Sequence, residues 1–254
     1  MPAYHLLHWQ NPKPGKEGAY AAWLRESLAP AVLKEAGLRA IQFLALQAVQ
    51  LQPPNVQLWR FCTLYEIETS KLEETLSIVS ESARRRPKEL GWLEGDVSHV
   101  FELTRLQLNT ANPIDASAPL HLAFVMGNCI AGKETEYDTW YDQIHAPEVL
   151  ATPDFVGMRR GRIASLQASP ANDQPANRLV LLQIRSHDLH ASISEFIARA
   201  NGTSPSGVKW KPREAAAGFA SLQRTTHVFT PFSPRLTAER GAAAVSSNTL
   251  GQGG

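Results

Sequence analysis

Apolar side chains recur along residues 4–108 in six blocks, and their spacing predicts a strand, a helix, two strands, a second helix and a last strand. Residues 4–9 alternate as a strand does, with Tyr4, Leu6 and His8 on one face and His5, Leu7 and Trp9 on the other. Tyr20, Trp23, Leu24 and Leu28 fall at helical spacing within residues 15–34. Residues 38–49 and 56–67 are rich in β-formers and are separated by Gln52-Pro-Pro-Asn55, a turn signal. Leu72, Leu76 and Val79 mark a helix over residues 71–86, expected to stop before Pro87, and residues 97–108 read as the closing strand. The same order returns over residues 120–129, 133–150, 156–166, 178–186, 188–199 and 219–229.

The recurrence is a tandem duplication. Residues 17–35 laid over residues 134–152 without a gap give seven identities in nineteen positions: Glu17/Glu134, Tyr20/Tyr137, Trp23/Trp140, Ala29/Ala146, Pro30/Pro147, Val32/Val149 and Leu33/Leu150. The same offset of 117 residues places Leu64, Ile67, Leu72 and Ser77 on Leu181, Ile184, Leu189 and Ser194, so the register holds far downstream. Residues 1–108 form the first repeat and residues 120–234 the second. Residues 109–119, rich in Ala, Asn, Pro and Ser, are the linker, and residues 235–254 lack the apolar content to pack and read as a disordered tail. Two long polar loops, residues 168–177 and 201–211, are candidate lids. A βαββαβ unit puts both helices on one face of its sheet and leaves the other bare. The fold class is therefore α+β, with two ferredoxin-like repeats covering each other's bare faces as a pseudo-dimer within one chain.

Composition narrows the partners. Lys and Arg total 25 against 24 Asp and Glu, so no net field attracts nucleic acid or anionic lipid. Cys62 and Cys129 are the only cysteines and form no metal or disulfide framework. No run approaches a membrane span and no secretory leader is legible, so a cytoplasmic protein is expected. Walker, G-x-S-x-G and strand-linked G-x-G-x-x-G motifs are missing, and His187 and His190 lack the carboxylates of a metal site. Neither a cofactor nor a metal is expected.

Positions where the repeats differ carry the candidate chemistry. Asp138, Tyr141, Asp142 and His145 stand where the first repeat has Ala21, Leu24, Arg25 and Leu28. On a helix Tyr141 and Asp142 precede His145 by four and three residues and share its face. Pro147 should end the helix near His145, where the helix dipole and Asp142 would favour the imidazolium and raise its pKa. His145 could then serve as general acid or base, with Asp142 orienting it and Tyr141 binding a substrate oxygen. A surface histidine capping the helix is the plainer alternative. Arg159, on the opposite strand face from Arg160 and Arg162, could balance anionic charge. Together with His8 and Trp9 of the first strand, it completes the set of candidate substrate contacts.

The element order and the run Tyr137-Asp-Thr-Trp-Tyr-Asp-Gln-Ile-His-Ala-Pro-Glu-Val-Leu150, followed by Phe155-Val-Gly-Met-Arg159, resemble the dimeric α+β barrel superfamily and, within it, the EthD-like proteins. The resemblance spans residues 4–232 and supports His145 as a site residue. It implies a small organic substrate, aromatic or polyketide-like, and cofactor-free acid/base chemistry beside a carbonyl: dehydration, isomerisation or cyclisation. A non-catalytic binding protein and a monooxygenase, haem-dependent or cofactor-free, stay open, as does a further homodimer.

Overall fold

The computed structural model describes residues 1–35, 37–52, 59–109, 113–168, 176–211 and 216–238, with the side chains of 222 and 223 left aside. The first repeat contains β1 (Ala3–Pro12), α1 (Glu17–Trp23), α2 (Ala29–Val32), β2 (Leu38–Leu46), β3 (Phe61–Glu68), α3 (Leu72–Glu89) and β4 (Leu93–Leu108). The second contains β5 (Leu120–Cys129), α4 (Glu134–Trp140), α5 (Ala146–Leu150), β6 (Phe155–Ile163), β7 (Arg178–Arg185), α6 (Leu189–Asn201) and β8 (Ala220–Pro231). Most of the Gln52-Pro-Pro-Asn55 turn and of the loop over residues 168–177 lies outside the described residues.

One antiparallel sheet runs β3-β1-β4-β6-β7-β5-β8-β2 and closes on itself where β2 returns to β3. Two seams join the repeats. Phe101–Leu108 of β4 pairs with Gly157–Ile163 of β6, and Leu44–Leu46 of β2 pairs with Phe229–Pro231 of β8. Gly161 lets the strands approach closely at the first seam: a Cβ there would stand 3.0 Å from the Glu102 carbonyl oxygen, so the β4 backbone would have to give by a few tenths of an ångström. Residues 235–237 are not part of a disordered tail. Leu236–Thr237 forms a short β9 on β2, and Arg235 donates two hydrogen bonds to the Glu66 carboxylate. The tail beyond residue 238 is outside the described residues.

Closure sorts the apolar residues into three cores. Leu7, Trp9, Leu64, Phe101, Phe124 and Phe229 pack inside the barrel. Leu6, Tyr20, Leu24, Phe43, Tyr65 and Val79 fill the layer between the first sheet and its helices. Ala146, Val149, Phe155, Met158, Ile193 and Phe196 fill the corresponding layer of the second repeat.

Both prolines predicted to stop helices sit inside them. Pro87 is buried in the last turn of α3, which runs on to Glu89. Pro147 lies in α5, and Ala146 keeps helical angles of φ −66° and ψ −42°. A widened turn makes this possible. Residues Leu24–Leu28 and Tyr141–His145 are π-helical, with the Ala29 N–H bonded to the Leu24 carbonyl and the Ala146 N–H to the Tyr141 carbonyl, five residues back in each case. The wider turn shifts the carbonyl ladder away from the proline ring that follows, so the helix continues.

Candidate functional site

His145 therefore stands in the middle of a helical run, and the expected assistance from a helix carboxyl end does not apply. Its ring is buried between aromatics. It stacks on Trp140 at 4.5 Å and 19°, meets the edge of Trp210 at 5.7 Å, and lies T-shaped to Tyr141 at 5.2 Å. Its Nδ1 is 3.8 Å from Glu148 Oε2, an ion-pair separation rather than a hydrogen bond. Burial pushes the Glu148 carboxyl up, but His145 and the Lys211 backbone N–H, donated at 2.9 Å, outweigh it and hold its pKa below the usual value.

Asp142 is turned away from His145. Arg160 donates to one of its oxygens and Arg105 to the other, the latter at 2.9 Å. Arg160 is 4% exposed, also reaches Asp138 at 3.3 Å, and places its guanidinium 5.1 Å from the Tyr141 ring centroid. Glu148, one turn onward, is within ion-pair reach of His145, whereas the Asp142 oxygens accept from Arg160 and Arg105.

Tyr137, Trp140, Tyr141 and His145 form one wall of a cavity of about 40 Å³ between this helix and the sheet; Val125, Val180, Asn128 and Arg224 line the other side. That volume holds a water molecule or two. Burial, followed by the neighbouring Tyr141 hydroxyl, raises the Tyr137 phenol well above its ordinary pKa. In the first repeat the same layer is occupied by a polar cluster in place of a cavity. His8 Nε2 is 3.0 Å from Asp96 Oδ2, and Arg84 donates to that oxygen at 2.8 Å. Burial pushes the Asp96 carboxyl up, but His8 and Arg84 bring it down to about 2; burial keeps His8 below its ordinary pKa.

No family model and no curated protein matches the sequence. Solved structures do match. An anthrone oxidase-like protein aligns with a TM-score of 0.62 at 11% identity, over 93% of each chain. A proposed monooxygenase from Fusobacterium nucleatum subsp. nucleatum gives 0.58 at 9%, over 93% of this chain and 94% of that one. A proposed chlorite dismutase gives 0.53 at 11%, over 96% and 99%. The chain has the dimeric α+β barrel fold. At these identities the likeness is one of fold alone.

Within this barrel the three candidate substrate contacts do not meet the His145 cavity. Strand alternation sends Trp9 into the barrel, where its indole N–H donates to His99 Nδ1 at 3.0 Å, whereas His8 faces α3. Both faces of β1 are buried, so His8 and Trp9 cannot share a ligand. Arg159 points to the barrel interior at one mouth, 3.6 Å from Glu66, on the opposite sheet face from His145. The arginine beside the cavity is its neighbour Arg160. Sequence reading also missed Glu148, although its spacing of three residues from His145 was visible, and Trp210, for which a lone tryptophan in a polar loop gave no signal. His187 and His190 lie on the exposed start of α6, where Asp188 accepts the Ala191 N–H at 2.9 Å. Among the described residues no group of three His, Cys, Asp or Glu could hold a metal, and no helix is long and apolar enough to cross a membrane.

Proposed function

We propose that the chain is a small-molecule enzyme whose second-repeat cavity takes a proton from a carbon next to a carbonyl on an aromatic or polyketide-like compound. The observation that carries this reading is a buried imidazole beside a carboxylate of lowered pKa, lining a cavity, at a position where the duplicate repeat has leucine. His145 accepts the proton, Glu148 stabilises the imidazolium by charge, and the Tyr141 hydroxyl donates to the oxygen that becomes enolate. Trp140 and Tyr137 supply flat walls for a ring. Because the cavity holds only water as it stands, a substrate enters by displacing the side chains that close it.

Proton abstraction is the first step of dehydration, isomerisation and cyclisation, and also of cofactor-free oxygenation. The oxidase and monooxygenase descriptions of the structural neighbours favour the last outcome. There the enolate carbon gives its electrons to dioxygen; one oxygen stays as a new carbonyl, and the other leaves as water with the two hydrogens lost from carbon. A porphyrin does not fit these residues: the His145 ring is held between Trp140 and Trp210.

The test is turnover of phenolic ketones with a CH2 beside the carbonyl, and of anthrones, whose CH2 is made acidic by the carbonyl through the conjugated rings, followed by absorbance and oxygen uptake, with His145→Leu as the control. His145→Leu copies the first repeat and should fold while losing about 100-fold to 10,000-fold in rate. A folded His145→Leu protein at full rate would place the site elsewhere. Ligand binding without turnover by the native chain would leave a binding protein.

A further inference from the structure

The two repeats close the groove between their helices differently. In the second repeat, Trp210 fills it: its ring lies 4.7 Å from Phe196 on α6 and 5.7 Å from His145. The segment is anchored by its backbone, the Trp210 N–H to the Arg199 carbonyl at 3.2 Å and the Lys211 N–H to Glu148 at 2.9 Å. The residues that hold this plug are therefore His145, Glu148, Phe196 and Arg199. Moved back by 117 residues they become Leu28, Ala31, Val79 and Ser82. Leu28, Ala31 and Ser82 line an open groove of about 740 Å³ between α2 and α3, within the range of small-molecule sites.

Among the described residues nothing in the first repeat takes the place of Trp210. The chain passes from α3 to β4 in three residues, and Trp92 packs lower down, edge-on to Tyr20 and Trp23. Trp23 and Trp92 thus stand partly exposed in the wall of the groove, their rings inclined at 70°. The anchors for a chain segment are gone as well. α3 runs two turns beyond Ser82, so the carbonyl equivalent to that of Arg199 lies inside a helix, and Ala31 replaces Glu148. What remains is the ring-binding half of the plug's seat. The extra turns of α3 add cations to its rim: Arg85 is paired with Glu89, whereas Arg86 has no ion-pair partner among the described residues.

We propose that this groove is a second binding site, for a free planar aromatic acid of about indole size, whose ring lies against Trp23, Trp92 and Leu28 and whose carboxylate meets Arg86. It is separate from the His145 cavity, which belongs to the other repeat.

The test uses the full chain labelled with ¹⁵N and unlabelled indole-3-acetate, indole and tryptamine, with the Trp23 and Trp92 resonances assigned by their phenylalanine variants. Indole-3-acetate should shift the Trp23 and Trp92 indole N–H signals and leave Trp210 still. Ala31 is exposed, so Ala31→Trp supplies the missing plug without touching the core and should weaken binding by at least about tenfold. Arg86→Gln should weaken indole-3-acetate by about threefold, to the level of indole. Unmoved Trp23 and Trp92 signals at millimolar probe, or equal binding by Ala31→Trp, would overturn the site. Tighter binding of tryptamine than of indole-3-acetate would overturn the ligand class and assign the rim to the carboxylate of Glu81, which also lines the groove.

Discussion

Trp23 and Trp140 hold the same place in the two repeats, and from sequence both read as core. Trp140 is 9% exposed and stacked on His145, while Trp23 is only partly buried because the groove beside it is open. Trp140→Ala should therefore cost about 3–5 kcal/mol and Trp23→Ala about half as much, measured by urea unfolding. Equal losses would mean that the groove is closed in solution. Alternation along β1 correctly separated His8 from Trp9, but which face looks into the barrel was not legible, because both faces are buried and hydrophobicity does not distinguish them. Which of Arg159 and Arg160 lies beside the His145 cavity was not legible for a related reason: a closed barrel makes both faces of β6 interior in part, and only tertiary contacts tell which arginine lies under the helix.

Among the elements, the long helix of each repeat shows what pattern can and cannot reveal. Helical spacing located it, but Pro147 was read as a stop because an α-helix has no room for a proline ring, and Pro30 stands at the same position of the first repeat. The π-turns admit them, and that local rewinding leaves no mark on hydrophobic periodicity. In the second repeat the rewound turn is tied to β6 by Arg160, at the position where the first repeat has Phe43 in its apolar core. Arg160→Met should destabilise by about 1–3 kcal/mol, since Asp138 and Asp142 lose a buried donor although water and Arg105 still reach them. A double-mutant cycle with Asp142→Asn in urea should show coupling of about 1 kcal/mol or more. Additive losses would mean that the pair is incidental.

For the whole molecule, duplication made the barrel legible, but the seams were not: no residue type announces that β4 will continue onto β6, or that Leu236–Thr237 will pair with β2. Closure also buries histidines inside the barrel. Burial lowers His5, where Glu66 opposes and Arg159 and Arg235 assist, and it lowers His227, each to about 4. In the unfolded chain each titrates near 6.5. Above that pH both states are neutral and stability is flat. As pH falls towards 4 the unfolded chain takes up protons that the fold refuses, and stability drops by about 3 kcal/mol per histidine before levelling off. Urea midpoints at about pH 7.5 and about pH 4.5 should show this loss, to which buried His8 adds, and His227→Phe should remove only its own share. An unchanged midpoint would mean that both rings gain partners on protonation.

The seams have a consequence for how the chain reaches its native state. Each half offers two unpaired strand edges that fit the other half, and an identical half from a neighbouring chain offers the same match. A tether the length of residues 109–119 keeps the native partner at an effective concentration on the order of millimolar. Closure within one chain therefore wins in dilute solution, and refolding at protein concentrations near that value should divert chains into reciprocal dimers that exchange halves, leaving every strand pair and both candidate sites intact.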